Sequence, residues 1–424
     1  MSDNVKKSNH KLFYTIEAAI EYFISILVSG AFLTNMLNAI GVSDAVSGII
    51  TSLTVFTQCF QIASSHLTHS KGSLRRKVSI LLLINELLFA LLYMVPFVSV
   101  GKGAKTVIFV IMLITSRAVM NYAVPSKLNW LISKVPSETL GDFTAKKEMT
   151  SLLSGMAFTY IMGALSDYFS EKGDVRTGFI INALVICVLC ALHIYLLSKC
   201  DRPDEVKTDV RTDERKLFME TLKDKNFQKL LLVDILWHVN SIATSFFGVY
   251  QLNTLGYSMK TVSLIAIISS FSRAVLSLPM GHIADKTSWA NLLRISFGIA
   301  GTAYLCVFFA KPGLLGAVMF ALYSILHSVS LAGINGGLVN VTFGYISREK
   351  RTSVIGIRYC VGGITGFLAT LAGSAVVEHI QNNGNTLLGY EMYPQQILSL
   401  VVCILCLTLT GYISAAFCGK NARL

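Results

Sequence analysis

Charge is what this sequence has least of. Only 14% of its 424 residues are Asp, Glu, Lys or Arg, whereas a soluble chain carries about 25%. Hydrophobic residues make up 53% and the mean hydropathy is +0.60, so the main solvent is a bilayer and no soluble catalytic domain has room to fit. A phosphate-cradling G-x-x-x-x-G-K-[ST] loop is also missing, which argues against direct use of ATP. No His/Asp/Glu set has metal-ligand spacing, and no nucleophile stands beside a base. A membrane enzyme is therefore not expected, nor is a metal or other cofactor. The nine cysteines are scattered through apolar segments, apart from Cys187/Cys190 and Cys403/Cys406. Both pairs lie inside apolar helices without partner ligands and read as small buried side chains. The first eleven residues, MSDNVKKSNHK, are polar and run into an apolar stretch far longer than a signal-peptide core, so no cleavable signal is expected.

What is present is a series of long apolar runs. A membrane helix needs about 20 mostly apolar residues. Twelve spans are predicted, near 12–40, 44–67, 78–99, 105–132, 149–170, 177–198, 230–255, 261–283, 289–310, 313–345, 353–380 and 394–418. The connections are short except for a densely charged segment at 199–229, which divides the spans six and six. This predicts an N-terminal bundle at 1–198, a charged linker at 199–229 and a C-terminal bundle at 230–424. Within the linker, Arg211 to Lys225 fits either a surface amphipathic helix or a solvated tether.

The 36 lysines and arginines fall mainly in one alternate set of loops, together with both termini. The opposite loops hold only Lys102, Lys105, Lys172, Arg176, Lys260 and Lys311, while Arg117, Lys127, Arg273 and Arg358 lie inside spans. Basic loops face the cytoplasm, so both termini are expected there, in a multi-pass protein of the plasma membrane. The net charge of +12 follows from this asymmetry. It suits an anionic lipid surface and requires no nucleic acid.

The two halves also repeat. SSHLTHSKGSLRRK (64–77) aligns with GHIADKTSWANLLR (281–294), placing His66 on His282 and His69 on Asp285. Upstream, GVSDAVSGIITSL (41–53) aligns with GYSMKTVSLIAIISS (256–270) after one insertion. Internal duplication of this kind marks transporter folds. Gly281-His-Ile-Ala-Asp285-Lys286 resembles the G-x-L-A-D-R-x-G-R-R loop of the major facilitator superfamily, found between the second and third helices of each half. The first copy is degraded: Ser65 stands for Gly and His69 for Asp, with Gly72, Arg75 and Arg76 near their expected places. In that family the acid caps a neighbouring helix and gates the bundle. The resemblance thus implies a gating role for Asp285 and Lys286, and a weaker or pH-dependent one for His69. In the fourth span, Arg117 matches a membrane-embedded arginine of many members, with Asn121 in place of a glycine. NWLISKVPSETLGDFTAKK (129–147) is similar to a W-x-x-x-x-V-P-x-x-x-R-G-x-F loop of a largely uncharacterised bacterial branch. Trp130, Pro136, Gly141 and Phe143 match, and Leu140 replaces the Arg. The resemblance implies an all-α membrane protein of two homologous six-helix bundles, commonly monomeric, with a cavity lined by spans 1, 4, 7 and 10.

Ionisable groups at bilayer depth cost at least about 2.5 kcal/mol each and are functional candidates by default. Glu17 and Glu21 lie about 8 and about 14 Å from the cytoplasmic end of span 1, four residues apart and so on one face. Asp234 and His238 repeat the spacing on span 7. Arg117 is expected to anchor a substrate anion or Glu21, and Glu21 to carry a proton, burial favouring the neutral acid and Arg117 the charged one. Gln58 and Arg273 hold equivalent positions in spans 2 and 8 and are candidates for an inner gate, with Arg358 at similar depth. His327 and Tyr323 on span 10 are expected along the cavity. Glu86 and His193 fall on spans that are peripheral in the family and are expected to pair locally or snorkel. The glycines of 331–340 and 359–373 predict close helix packing. Aromatic residues on spans 1 and 7 fit either core packing or stacking on a flat solute.

These features predict secondary active transport of a small solute by alternating access, driven by a proton gradient. The fifth span lacks the Gly-Pro-rich motif of the superfamily's drug antiporters, which favours uptake. A drug or metabolite exporter and a transport-dead sensor on the same fold remain the alternatives.

Overall fold

A computed structural model describes residues 2–64, 67, 73–135, 140–201, 214–345, 351–387 and 389–417. The fold is helical. In chain order the helices are α1 (Ser2–Leu27), α2 (Gly30–Ile40), α3 (Asp44–Phe56), α4 (Leu74–Leu92), α5 (Lys102–Ser133), α6 (Leu140–Glu171) and α7 (Val175–Lys199). They continue as α8 (Glu214–Lys223), α9 (Lys225–His238), α10 (Ser241–Thr244), α11 (Phe247–Val249), α12 (Met259–Lys286), α13 (Trp289–Phe308), α14 (Leu314–Tyr345), α15 (Arg351–Asn382) and α16 (Pro394–Phe417). Two-residue strands, Thr386–Leu387 and Tyr390–Glu391, pair antiparallel ahead of α16.

Eleven segments among the described residues are long and apolar enough to cross a membrane. The third predicted span corresponds to α4, of 19 residues, which carries Arg75, Arg76 and Lys77 in its first turn and Glu86 near its middle. With it the count reaches the twelve expected. The linker segment expected as helix or tether is helical over Glu214–Lys223, and Asp224 caps the helix that follows by accepting from the Asn226 and Phe227 N–H groups (2.9 and 3.3 Å).

Contacts divide the chain into two compact units. One comprises Met1–Ser43, Thr57–Val210 and Ser258–Ser263; the other comprises Asp44–Phe56, Arg211–Tyr257 and Leu264–Leu424. The first packs α1 on α6 and α7, and α4 on α5 and α7. In the second, α13 lies between α14 and α16, and α15 packs on α3, α9 and α10. The predicted glycine packing occurs here. A methyl group on Gly363 would come within 2.7 Å of the Val55 carbonyl oxygen, Gly362 faces the His238 ring, and Gly366 and Gly373 abut Ser241 and Ile242. Side chains would hold these backbones apart, which is why small residues recur at membrane helix crossings.

The first, second and seventh spans, predicted as continuous, are interrupted, and the helix of the third ends at Leu92, ahead of a 3-10 turn over Val95–Phe97. The first breaks between α1 and α2, where Ser29 is extended and Gly30 takes φ +52°, a left-handed conformation open to glycine. The second changes from α3 to a tighter 3-10 turn over Thr57–Ser64. The seventh runs through α9, α10 and α11 into a π-helical stretch at Tyr250–Thr254. Non-helical backbone at membrane depth survives only where its polar groups find partners, and here they do. At the first break, Tyr93 donates to the Leu27 carbonyl (2.5 Å) and Arg117 Nη2 to the Val28 carbonyl (2.8 Å). At the seventh, Asn240 donates to the Trp237 carbonyl (2.6 Å) and Thr370 to the Ser241 carbonyl (3.1 Å).

The signature segment also differs from expectation. Gly281, Asp285 and Lys286 belong to the last turns of α12 and not to a loop. α12 continues past Pro279 and Gly281 to Lys286, and Ser288 caps α13 by accepting from the Asn291 N–H (3.1 Å).

Candidate functional site

In the first unit, one buried ionic network joins four helices. Lys127 of α5 donates to Glu17 Oε1 (2.6 Å) and lies 2.8 Å from Glu21 Oε2, so it bridges the two acids of α1. The same Glu17 Oε1 is 2.8 Å from His193 Nε2 on α7, and His193 Nδ1 hydrogen-bonds Glu86 Oε1 on α4. Glu17 and His193 are sealed from solvent, and the Glu21 side chain, 26% exposed, is the open end of the chain. Three carboxylates thus share one lysine and one histidine. Each acid keeps one buried oxygen, Glu17 Oε2, Glu21 Oε1 and Glu86 Oε2, with no hydrogen bond among the described residues. With every acid ionised and the histidine charged, the network would still carry one net negative charge. An uncompensated charge at this depth is costly, so a neutral network must hold an extra proton.

Arg117 stands apart from it. Of the two partners expected for it, a substrate anion or Glu21, it does not meet Glu21: Arg117 sits ten residues from Lys127, about 15 Å along α5. Its guanidinium supports the broken end of α1 through Val28 and lies 4.8 Å over the Phe89 ring, while its Nε has no partner among the described residues. Asn121, one turn on, donates to the Arg117 carbonyl (2.9 Å) and to Thr57 Oγ1 (3.2 Å), and accepts from Gln61 (2.9 Å).

In the second unit, Asp234 of α9 meets Arg358 of α15 in a two-pronged pair. Arg358 Nε donates to Asp234 Oδ2 and Nη2 to Oδ1 (2.8 Å), and Nη1 reaches Thr342 Oγ1 (3.1 Å). Both carboxylate oxygens are occupied and the charges balance one to one. His238, a candidate second proton site or donor to a solute, donates from Nδ1 to the Asp234 backbone carbonyl (2.7 Å). His327 packs in an aromatic cluster. Its ring stacks on Tyr323 at 5.2 Å and on Trp237 at 6.3 Å, with the Tyr304 hydroxyl 3.3 Å from Nε2. Trp237, Tyr304 and Tyr323 are buried, so the aromatic character of the seventh span serves packing in this structure.

The remaining candidates are dispersed. Gln58 lies in the 3-10 turn after α3, and Arg273 lies in α12 within electrostatic range of His327. Arg75 donates to the Ser198 carbonyl (2.9 Å) and to the Cys200 carbonyl, and lies 5.8 Å from the Trp130 ring, fastening the end of α7. Asp201 joins the same clamp, its carbonyl accepting from Trp130 Nε1 (2.8 Å) and its N–H donating to His10 Nδ1 (3.1 Å). His69 and Gly72 lie outside the described residues, as does the side chain of Asp285.

Lys127 is the residue to which sequence reasoning assigned no part, and His193 and Glu86 are the ones it set aside as peripheral. Depth was the available signal. Lys127 and His193 both fall about five residues from the same ends of their spans, about 8 Å, the depth of Glu17.

The sequence profile of the Major Facilitator Superfamily matches residues 17–370. Among solved structures, the chain resembles a mutant of the nucleoside transporter NupG, with a TM-score of 0.73 at 14% identity, covering 96% of this chain and 99% of that one. An auto-inhibited peptide transporter of the POT family gives a TM-score of 0.71 at 10% identity, covering 98% of each chain. A D-xylose–proton symporter gives 0.66 at 12% identity, covering 94% of this chain and 96% of that one.

Proposed function

The chain belongs to the major facilitator superfamily and is a multi-pass membrane transporter, not an enzyme, and we propose that it couples uptake of a small solute to protons entering through Glu21. The observation that carries this reading is the unbalanced network of α1, α4, α5 and α7. A cluster with more acids than bases at membrane depth changes its charge each time a proton arrives or leaves. Glu21 is the acid through which exchange takes place, because its side chain alone among the three acids has appreciable exposed surface. Its ionised form is held by Lys127; its protonated form frees Lys127 for Glu17 alone. Alternating access follows if a solute binds one of these two states better than the other. Under this reading both termini are cytoplasmic, the membrane is the plasma membrane, and the two bundles, 1–198 and 230–424, alternate about the solute.

Asp234 and Arg358 take a structural part in this scheme, since their pair is complete without a solute. Arg117, whose Nε has no partner among the described residues and which stands beside the break in span 1, is the donor best suited to a solute oxygen. A thermal-shift screen of purified protein tests the reading at about pH 6 and about pH 8, against sugars, nucleosides, amino acids, carboxylates and lipophilic cations. A ligand that binds only the folded state raises its stability. A stabilising solute whose effect depends on pH in the parent protein, and not in Glu21→Gln, supports the proposal. A solute whose effect is the same in both proteins at both pH values overturns it.

A further inference from the structure

The imidazole of His193 is held between two acids, Glu86 at Nδ1 and Glu17 at Nε2. A neutral imidazole offers one N–H donor and one bare nitrogen, and an ionised carboxylate only accepts. Two ionised carboxylates cannot both be satisfied by a neutral ring, since one contact would set lone pair against lone pair. Glu86, His193 and Glu17 together therefore hold one proton beyond the neutral ring's own. All three side chains are at most 2% exposed, so that proton is shielded from water. Among the described residues the titratable and charged neighbours are Tyr14 and Glu21 of α1, Lys127 of α5, Cys190 of α7 beside Glu86, and Cys200 just after α7, within electrostatic range of Glu17.

Resting on the reading that Glu21 exchanges protons with solvent, we infer that Glu86 and His193 form a buried proton store behind it, loading and unloading Glu17. The store works by a tautomer switch. With the proton on Glu86, the Glu86 hydroxyl donates to Nδ1 and Nε2–H donates to ionised Glu17. The Glu86 proton then passes to Nδ1 as the Nε2 proton passes to Glu17. Glu86 is left ionised, Glu17 neutral, and His193 neutral in its other tautomer. One proton has moved and one negative charge has shifted from Glu17 to Glu86.

The consequence reaches Glu21 through Lys127. When Glu17 is ionised, Lys127 divides its hydrogen bonds between two carboxylates. When Glu17 is neutral, Lys127 serves Glu21 alone and holds that acid in its ionised form. The store thus sets how firmly the open end of the network keeps its charge, without touching solute. Glu86 and His193 are positioning residues for the coupling step.

The test needs no solute. Nitrogen-15 spectra of the full-length protein, labelled at histidine and held in lipid, distinguish bare from protonated ring nitrogens, and His193→Gln identifies the His193 signals. In the parent protein the ring is expected to exchange between its two neutral tautomers. Glu86→Gln offers an amide N–H to Nδ1 and fixes the Nε2–H tautomer; Glu17→Gln does the reverse and leaves Nε2 bare. Glu86→Asp keeps an acid at that position and restores exchange. A ring locked in one tautomer in the parent protein overturns the proposal. So does a doubly protonated ring in the parent protein. Should one variant fail to fold, the parent spectrum and the other variant still decide. A role for Glu21 in transport can fail while this result stands, and the reverse, so the two readings are separable.

Discussion

The first and seventh spans occupy equivalent places in the two halves, yet their acids are treated differently. In the second unit Asp234 meets one arginine, both carboxylate oxygens are engaged, and Arg358 is fastened further by Thr342. In the first unit Glu17 and Glu21 share Lys127, Glu17 also meets His193, and His193 also meets Glu86. One arrangement is closed and balanced, with no proton needed to complete it. The other has three acids for two bases and a histidine able to pass a proton from one side of its ring to the other. A duplicated fold can therefore keep a fixed ionic clasp in one copy and a protonatable one in the other. Arginine, which stays charged, suits the clasp, whereas lysine and histidine suit exchange.

The largest expected effect breaks the balanced side. Asp234→Asn leaves Arg358 buried without a counter-charge and should cost about 3–5 kcal/mol, read as a fall in the unfolding temperature in detergent. Replacing both partners with apolar residues, Asp234→Leu with Arg358→Met, should recover most of that loss. If the single and double variants are equally unstable, the pair is not a self-contained clasp.

On the unbalanced side, Lys127→Met removes the cation shared by two acids. It should cost about 3 kcal/mol at high pH and less at low pH, where protonated Glu17 and Glu21 no longer need it. The sign follows from the charges: acids deprived of their lysine are relieved by protons, so the deficit shrinks as pH falls. A deficit independent of pH would contradict the network. Next in size is Gly363→Ala, whose methyl group would meet the Val55 carbonyl at 2.7 Å. Crowding against backbone should cost about 1–3 kcal/mol, seen as a lower unfolding temperature. Arg117→Lys keeps the charge but loses the planar donor that serves Val28, an expected loss of about 1–2 kcal/mol. If Arg117 also binds solute, affinity falls by more than this stability change accounts for.

Much of the architecture was legible before any coordinates. The apolar spans follow from hydropathy, a property of single segments, whereas the contact units differ from the predicted bundles in placing Asp44–Phe56 with the second unit and Ser258–Ser263 with the first. Partners within the network were harder to read, because pairing depends on how each helix is rotated about its axis. Charge and approximate depth make Glu21 one possible partner for Arg117; the distance along α5 to Lys127, which does meet Glu21, shows why that pairing does not form. The interruption at Ser29–Gly30 was hidden inside an unbroken apolar run, since a serine and a glycine barely alter hydropathy. The same break gave Arg117 its role at the Val28 carbonyl. His238 shows a further limit: a spacing of four residues put it on the face of Asp234, and its proton went to the Asp234 backbone instead.

The most direct test of proton coupling is solute accumulation in proteoliposomes, with the outside more acidic than the inside, using the panel solute that stabilises the protein. The account predicts that the parent protein accumulates solute only while the proton gradient lasts. Glu21→Gln should lose that accumulation by about tenfold or more, while still exchanging labelled for unlabelled solute, which needs no net proton movement. If Glu21→Gln accumulates solute as well as the parent protein does under the same gradient, the network of α1, α4, α5 and α7 is structural and the coupling lies elsewhere.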